Sequence, residues 1–97
     1  MRLQLFSLVS SLLFFSTSVF ADTAFIYYHN SGTYNTSSQY TNIKSELEDL
    51  GYTVSSSTSG TVSWSDISGK DLVVDIKGSS NCGSTCKTNY ESYLSSG

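Results

Sequence analysis

The apolar residues of this chain fall into short runs separated by polar stretches, and the runs of β-branched and aromatic residues predict three strands. Residues 23–28 are almost continuously apolar, which is typical of a strand covered on both faces. Residues 71–77 predict a second inner strand, in which Leu72, Val74 and Ile76 share one face. Residues 52–54 begin a further strand that fades into a serine-rich run.

A helical period follows the first strand. It predicts a helix over residues 37–50, because apolar side chains recur there at spacings of 3, 4 and 3. Those side chains are Tyr40, Ile43, Leu47 and Leu50. Thr36 and Gln39 have the spacing of a capping box at the start of this helix, and Gly51 has the position of a left-handed stop at its end.

Two shorter helical segments are predicted in the second half of the chain. Residues 62–67 hold one helical turn, with Ser63 or Ser65 as its cap. A last helix is predicted over residues 86–95. The apolar stripe of this last helix consists of Cys86, Tyr90, Tyr93 and Leu94.

The order of these elements favours an α/β fold, with a small three-stranded parallel sheet and the sequence β-α-β-β-α. Right-handed crossovers place the first helix on one face of the sheet. If the third strand joins the other side of the first strand, the strand order is 2-1-3 and the second helix covers the opposite face. Ligands bind such sheets at the carboxyl ends of the strands, where the strand order reverses. We expect that edge to bring His29, Asn30 and Ser31 close to Asp75 and Lys77.

Residues 1–21 have the features of a secretory signal peptide. Arg2 provides a short positive region, residues 3–20 are mostly apolar, and Val19-Phe20-Ala21 fits a cleavage site. A transmembrane anchor is the alternative, but five serines interrupt the run, and its most apolar part is short for a span of about 20 residues. We therefore expect a secreted or periplasmic protein with one small domain over residues 22–97.

Charge excludes two classes of partner. Arg2 is the only arginine, so its loss with the signal peptide changes the net charge from −3 to −4. Binding to nucleic acid or to an anionic membrane surface needs a basic face, which this composition does not supply. We expect neither nucleic acid nor, after cleavage, a membrane as a partner.

Cys82 and Cys86 are the only cysteines, and an oxidising compartment favours a disulfide between them. A structural disulfide is the first interpretation. A redox pair is the second, although catalytic dithiols normally have two residues between the cysteines and this pair has three. A metal site is the weakest, because only His29 could add a nitrogen ligand. We expect no metal and no cofactor.

Several of these stretches together resemble the first half of a flavodoxin-like domain of the class I glutamine-amidotransferase-like group, in its secreted bacterial form. The stretches that carry the resemblance are residues 25–28, 29–35, 47–54, 71–74 and 93–97. The family's catalytic members have a cysteine at a strand-to-helix elbow in a later unit. Asn81-Cys82-Gly83 lacks the glycine that such an elbow has two residues before its nucleophile, so no catalytic residue is transferred to this chain.

The first functional hypothesis is a secreted binding or interaction module without catalysis, for a small-molecule or carbohydrate ligand. Its proposed ligand-binding residues are His29, Asn30, Ser31, Tyr34, Asp75 and Lys77. Trp64 is either a cover for the sheet or an exposed stacking platform.

Three alternatives stay open. The chain is a truncated or degenerate copy of the family's domain without independent activity, or a hydrolase with His29 as base and Asp75 as its partner, or a thiol–disulfide protein. Because residues 73–76 resemble an inner strand but would lie at an edge, we also expect a homodimer or a partner that completes the sheet.

Overall fold

The computed structural model describes residues 22–77 and 82–96. The predicted signal peptide, residues 1–21, lies outside this part of the chain, as do residues 78–81 of the loop predicted over residues 78–85. Within the described ranges, no helix has the length and apolar character that a membrane span requires. The elements in chain order are β1 (Thr23–Tyr27), α1 (Ser37–Asp49), β2 (Thr53–Ser57), α2 (Trp64–Ile67), β3 (Leu72–Asp75) and α3 (Gly83–Ser96).

The three strands form one parallel sheet in the order β2-β1-β3, which confirms the predicted fold class and strand order. Ala24 lies opposite Val54 on one side and Leu72 on the other. β1 is therefore hydrogen-bonded along both edges. Its interior position explains its continuous apolar sequence, because helices cover both faces of a parallel sheet.

Two hydrophobic clusters lie on opposite faces of the sheet, because successive side chains of a strand point to opposite sides. On one face, Ala24 and Ile26 pack with Leu47 of α1. On the other face, the buried cluster consists of Phe25, Tyr27, Val62, Ile67 and Cys86, with Tyr90 and Tyr93 of α3 packed against it. β1 thus contributes to both halves of the core.

The start of α1 differs from the predicted capping box. Thr36 makes no side-chain cap bond to the helix; the backbone N–H of His29 donates to its Oγ1 at 3.0 Å instead. Gly51 has the predicted left-handed conformation, with φ of 98°. Leu50 follows the last helical residue and is 74% exposed, so the predicted apolar stripe ends at Leu47.

α3 begins at Gly83, three residues earlier than predicted. Cys86, Tyr90 and Tyr93 pack on the core as predicted, whereas Leu94 is 76% exposed. The physical reason is the helical period: at about 100° per residue, position 94 lies well to the side of the stripe through positions 86, 90 and 93.

We expect Ile26→Val to lower the free energy of unfolding by about 0.5–1.5 kcal/mol, because it removes one methylene from the fully buried central strand. Urea unfolding followed by circular dichroism measures this change. Leu50→Ala is the control and should stay within about 0.5 kcal/mol of the unmodified chain. Equal losses in both variants would contradict the assignment of Ile26 to the core.

Candidate functional site

The carboxyl ends of β1 and β3 meet at one edge of the sheet, because the two strands are parallel neighbours and Tyr27 lies opposite Asp75. The chain leaves β1 toward α1 on one face, while α3 follows β3 on the other face. This is the reversal point at which open α/β sheets bind ligands. Asp75 is the last residue of β3, and the other predicted site residues lie in the segments that leave these two strands.

The segment after β1 forms a loop that is closed at its base by His29 and Thr36. The backbone N–H of Thr36 donates to the His29 carbonyl oxygen at 2.6 Å, and the N–H of His29 donates to Thr36 Oγ1 at 3.0 Å. Gly32 turns the chain with φ of 69°, a conformation that favours glycine. Asn30, Ser31 and Tyr34 are consequently exposed to solvent, Tyr34 by 57%.

Asp75 ends β3 and is held by two donors. Its Oδ1 accepts a bond from the backbone N–H of Lys77 at 3.0 Å, and its Oδ2 accepts a bond from the Tyr90 hydroxyl at 2.7 Å. Burial raises the pKa of Tyr90 above its ordinary value, and the hydrogen bond to the Asp75 carboxylate raises it further. The carboxylate of Asp75 itself stays exposed.

Lys77 is 4% exposed, which is unusual for a lysine. Its Nζ donates to the carbonyl oxygens of Thr58, at 3.1 Å, and Ser59, and it lies 4.6 Å from the centroid of the Tyr27 ring. The Tyr27 hydroxyl also donates to the Ser59 oxygen, at 2.7 Å. The ammonium therefore joins the segment after β2 to the central strand.

The structure brings only some of the predicted site residues together. Asp75 and Lys77 are in contact, but no hydrogen bond between described residues joins His29 to Asp75. The pairing of His29 with Asp75 in a hydrolase stays a prediction. Tyr27 and Tyr90 were missed as members of this edge. Strand alternation places Tyr27 on the same face of the sheet as Asp75, and the helical period directs Tyr90 toward that face. These two patterns could have indicated both residues.

Cys82 and Cys86 have Cα atoms 5.5 Å apart, which is the usual separation for a disulfide, and the pair is bonded. A disulfide is compatible with an oxidising environment. So short a loop stabilises the fold by only about 2 kcal/mol on entropic grounds. Cys86 also lies within α3 and Cys82 directly precedes it, so the bond links residues that the helix already holds near each other.

Other surfaces of the described residues present fewer groups that could bind a ligand. Trp64 in α2 is 40% exposed, which leaves both interpretations of this residue open. One shallow hollow of about 260 Å³ lies beside α1, between Ile43, Leu47 and Leu50. The described residues contain no group of three or more His, Cys, Asp or Glu side chains that could hold a metal ion.

Comparisons of the chain with protein-family models, with curated proteins and with solved structures found no match.

We expect the stability of this protein to fall in alkaline solution partly through Tyr90. The raised pKa means that the folded protein holds the phenolic proton to higher pH than the unfolded chain does. As the pH rises past about 10, the unfolded chain loses this proton first, so the free energy of unfolding decreases. Tyr90→Phe should reduce the loss of stability between about pH 8 and pH 11.

Urea unfolding at both pH values measures this difference. Tyr34→Phe is the matched control, because it removes the hydroxyl of an exposed tyrosine. If the stability of Tyr90→Phe and of Tyr34→Phe falls in parallel with that of the unmodified chain, the raised pKa of Tyr90 is contradicted.

Proposed function

We propose that this protein is a secreted or periplasmic binding module for carbohydrate, without catalysis, and that its ligand lies on the loop after β1. The observation that carries this proposal is the closed loop base at His29 and Thr36, which holds an exposed aromatic ring and two exposed polar side chains at the carboxyl edge of the sheet. The three side chains are Asn30, Ser31 and Tyr34.

The chemistry of this edge suits a sugar. One face of a tyrosine ring is apolar and stacks on the C–H face of a pyranose, while its hydroxyl stays hydrated. Asn30 offers both amide donors and an acceptor, Ser31 offers a hydroxyl, and the exposed Asp75 carboxylate accepts bonds from sugar hydroxyls. The net charge of −4 for residues 22–97 disfavours anionic ligands.

The buried polar contacts support the same edge from below. Lys77 serves as a support because its ammonium is directed to the carbonyl oxygens of Thr58 and Ser59. Tyr90 holds the Asp75 side chain in one orientation. His29 contributes its backbone to the loop base. In this proposal the direct contacts to the ligand come from Asn30, Ser31, Tyr34 and Asp75.

Secretion is part of this proposal. The charged start, the apolar run and the small residue at position 21 support export. The disulfide between Cys82 and Cys86 is compatible with the oxidising environment that export provides.

We expect Tyr34→Ala to weaken the binding of a glycan by at least about fivefold, which corresponds to about 1 kcal/mol for one aromatic contact. A glycan array identifies the ligand, and calorimetry measures its affinity. Leu50→Ala is the control, because Leu50 is also an exposed large apolar side chain but lies at the far end of α1. The proposal fails if no glycan binds, or if the Tyr34 variant binds as well as the control.

A second candidate follows from the outer edge of β3. Among the described residues β3 pairs only with β1, while its side chains Leu72, Val73 and Val74 are half-buried. α1 packs mainly on β1 and β2, and an unfilled hollow lies beside Leu47 and Leu50. These features support a sheet that continues beyond β3, as the resemblance to a glutamine-amidotransferase-like domain implies. In this candidate, a second copy of the chain pairs along β3.

We expect light scattering after size-exclusion chromatography to show a dimer that Val74→Lys converts to a monomer, because a charge on this strand opposes edge pairing. Ser55→Lys places the same charge on β2, at the opposite edge of the sheet, and should leave the dimer intact. Circular dichroism confirms that each variant is folded. A monomeric unmodified chain at every concentration would contradict this candidate.

A further inference from the structure

The two bonded cysteines differ in their surroundings. Cys86 is 4% exposed and belongs to the hydrophobic cluster under α3. Cys82 is partly exposed and directly precedes the first residue of that helix. An incoming thiolate can therefore reach the sulfur of Cys82, whereas the sulfur of Cys86 is shielded. In thiol–disulfide exchange, the substrate attacks one cysteine, and the second, resolving cysteine stays shielded. Cys82 has the position of the attacked cysteine and Cys86 that of the resolving one.

Polar donors surround both sulfur atoms. The backbone N–H of Val62 donates to Cys86 Sγ at 3.2 Å. The hydroxyl of Tyr27 donates its one proton to the Ser59 carbonyl oxygen in the disulfide form, but it lies 3.8 Å from Cys82 Sγ and can turn that proton to a thiolate there. Thr61 Oγ1 lies 3.7 Å from Cys82 Sγ and 3.9 Å from Cys86 Sγ. Donors of this kind stabilise sulfur anions more than they stabilise an uncharged disulfide.

The start of α3 lies directly beside Cys82. The N–H groups of the first turn of α3 favour negative charge beside Cys82. A thiolate on Cys82 is therefore better stabilised than an ordinary exposed thiolate. Stabilisation of the reduced form makes a disulfide a better oxidant.

We propose that Cys82 and Cys86 form a thiol–disulfide exchange site that transfers its disulfide to a pair of cysteines in a polypeptide substrate. This activity goes beyond the binding of a carbohydrate and rests on different residues.

The exchange has two balanced steps. A substrate thiolate attacks Cys82 Sγ, the bond to Cys86 breaks, and Cys86 leaves as a thiolate beside the N–H of Val62. The second substrate thiolate then attacks the substrate sulfur of this mixed disulfide, and Cys82 leaves as a thiolate. Two electrons pass to the cysteine pair, and the substrate gains one disulfide. A small disulfide such as oxidised glutathione restores the pair by the reverse exchange.

The first test equilibrates the full chain with mixtures of reduced and oxidised glutathione, traps free thiols by alkylation and counts them by mass spectrometry. We expect the pair to change from disulfide to dithiol within these mixtures, and a dithiol peptide to gain about one disulfide per protein molecule. A pair that stays oxidised at every ratio would be structural, and the proposal would be overturned.

The second test separates the roles of the two cysteines. In Cys86→Ser, oxidised glutathione should form a mixed disulfide with Cys82 at least about tenfold faster than it does with Cys86 in Cys82→Ser. Equal rates in folded variants would overturn the assignment. If either variant does not fold, peptide mapping of the glutathione adduct on the unmodified, partly reduced chain decides the same point, and an adduct on Cys86 overturns it.

The third test addresses Tyr27 as a positioning residue. In Cys86→Ser, replacement of Tyr27 by Phe should move the half-maximal alkylation of Cys82 to higher pH, because it removes the hydroxyl next to the sulfur. Tyr90→Phe is the matched control, because its hydroxyl bonds to Asp75 and not to sulfur. The same midpoint in the Tyr27 and Tyr90 variants would overturn the role of Tyr27.

Discussion

β1 is buried on both faces and is paired with a neighbouring strand along both edges. The rest of this structure depends on this constraint. Ala24 and Ile26 face α1, whereas Phe25 and Tyr27 face α2 and α3. A domain of this size buries little apolar surface, so a strand that serves both halves of the core carries a large share of its stability. β2, by contrast, can be rich in serine because its outer edge and much of its surface contact water.

The core and the candidate chemistry are connected through Tyr27. Its ring is buried in the central strand, while its hydroxyl reaches the Ser59 carbonyl oxygen and lies near Cys82. Lys77 contacts the same ring and the same carbonyl oxygen. Substitutions at Tyr27 therefore act on stability and on the sulfur site together. Tyr27→Phe preserves the packed ring but also removes the bond to the Ser59 carbonyl oxygen, so its stability has to be measured together with its effect on the sulfur.

The two faces of the sheet suit different interactions. On the α1 face, the rings of Tyr28 and Tyr40 stack with centroids 4.0 Å apart, and a hollow remains beside the end of the helix. On the α3 face, the polar network of Lys77, Tyr27 and the two cysteines occupies the carboxyl edge. The exposed loop after β1 lies at that edge too, so sugar binding and thiol exchange would share one end of the molecule while using separate side chains.

The strand order 2-1-3 depended on β3 docking beside β1, which is a long-range contact. The sequence by itself determined the order of the elements and the parallel sheet. These follow from local periodicity and from the handedness of crossovers, which depend on short stretches of chain. The sequence also predicted that Asp75 and Lys77 lie at the carboxyl end of the third strand. The end of the apolar stripe at Leu47, however, could not be predicted, because burial of Leu50 depends on which distant element covers it.

Only the tertiary structure decided the partners of the polar groups. Thr36 bonds to His29 rather than capping its own helix, and Lys77 directs its ammonium to carbonyl oxygens about twenty residues away in sequence. The difference between Cys82 and Cys86 arises in the same way, since Val62 and Tyr27 reach the sulfurs from other elements. Such contacts leave no periodic signal in the sequence, because they join segments that come together only when the sheet has formed.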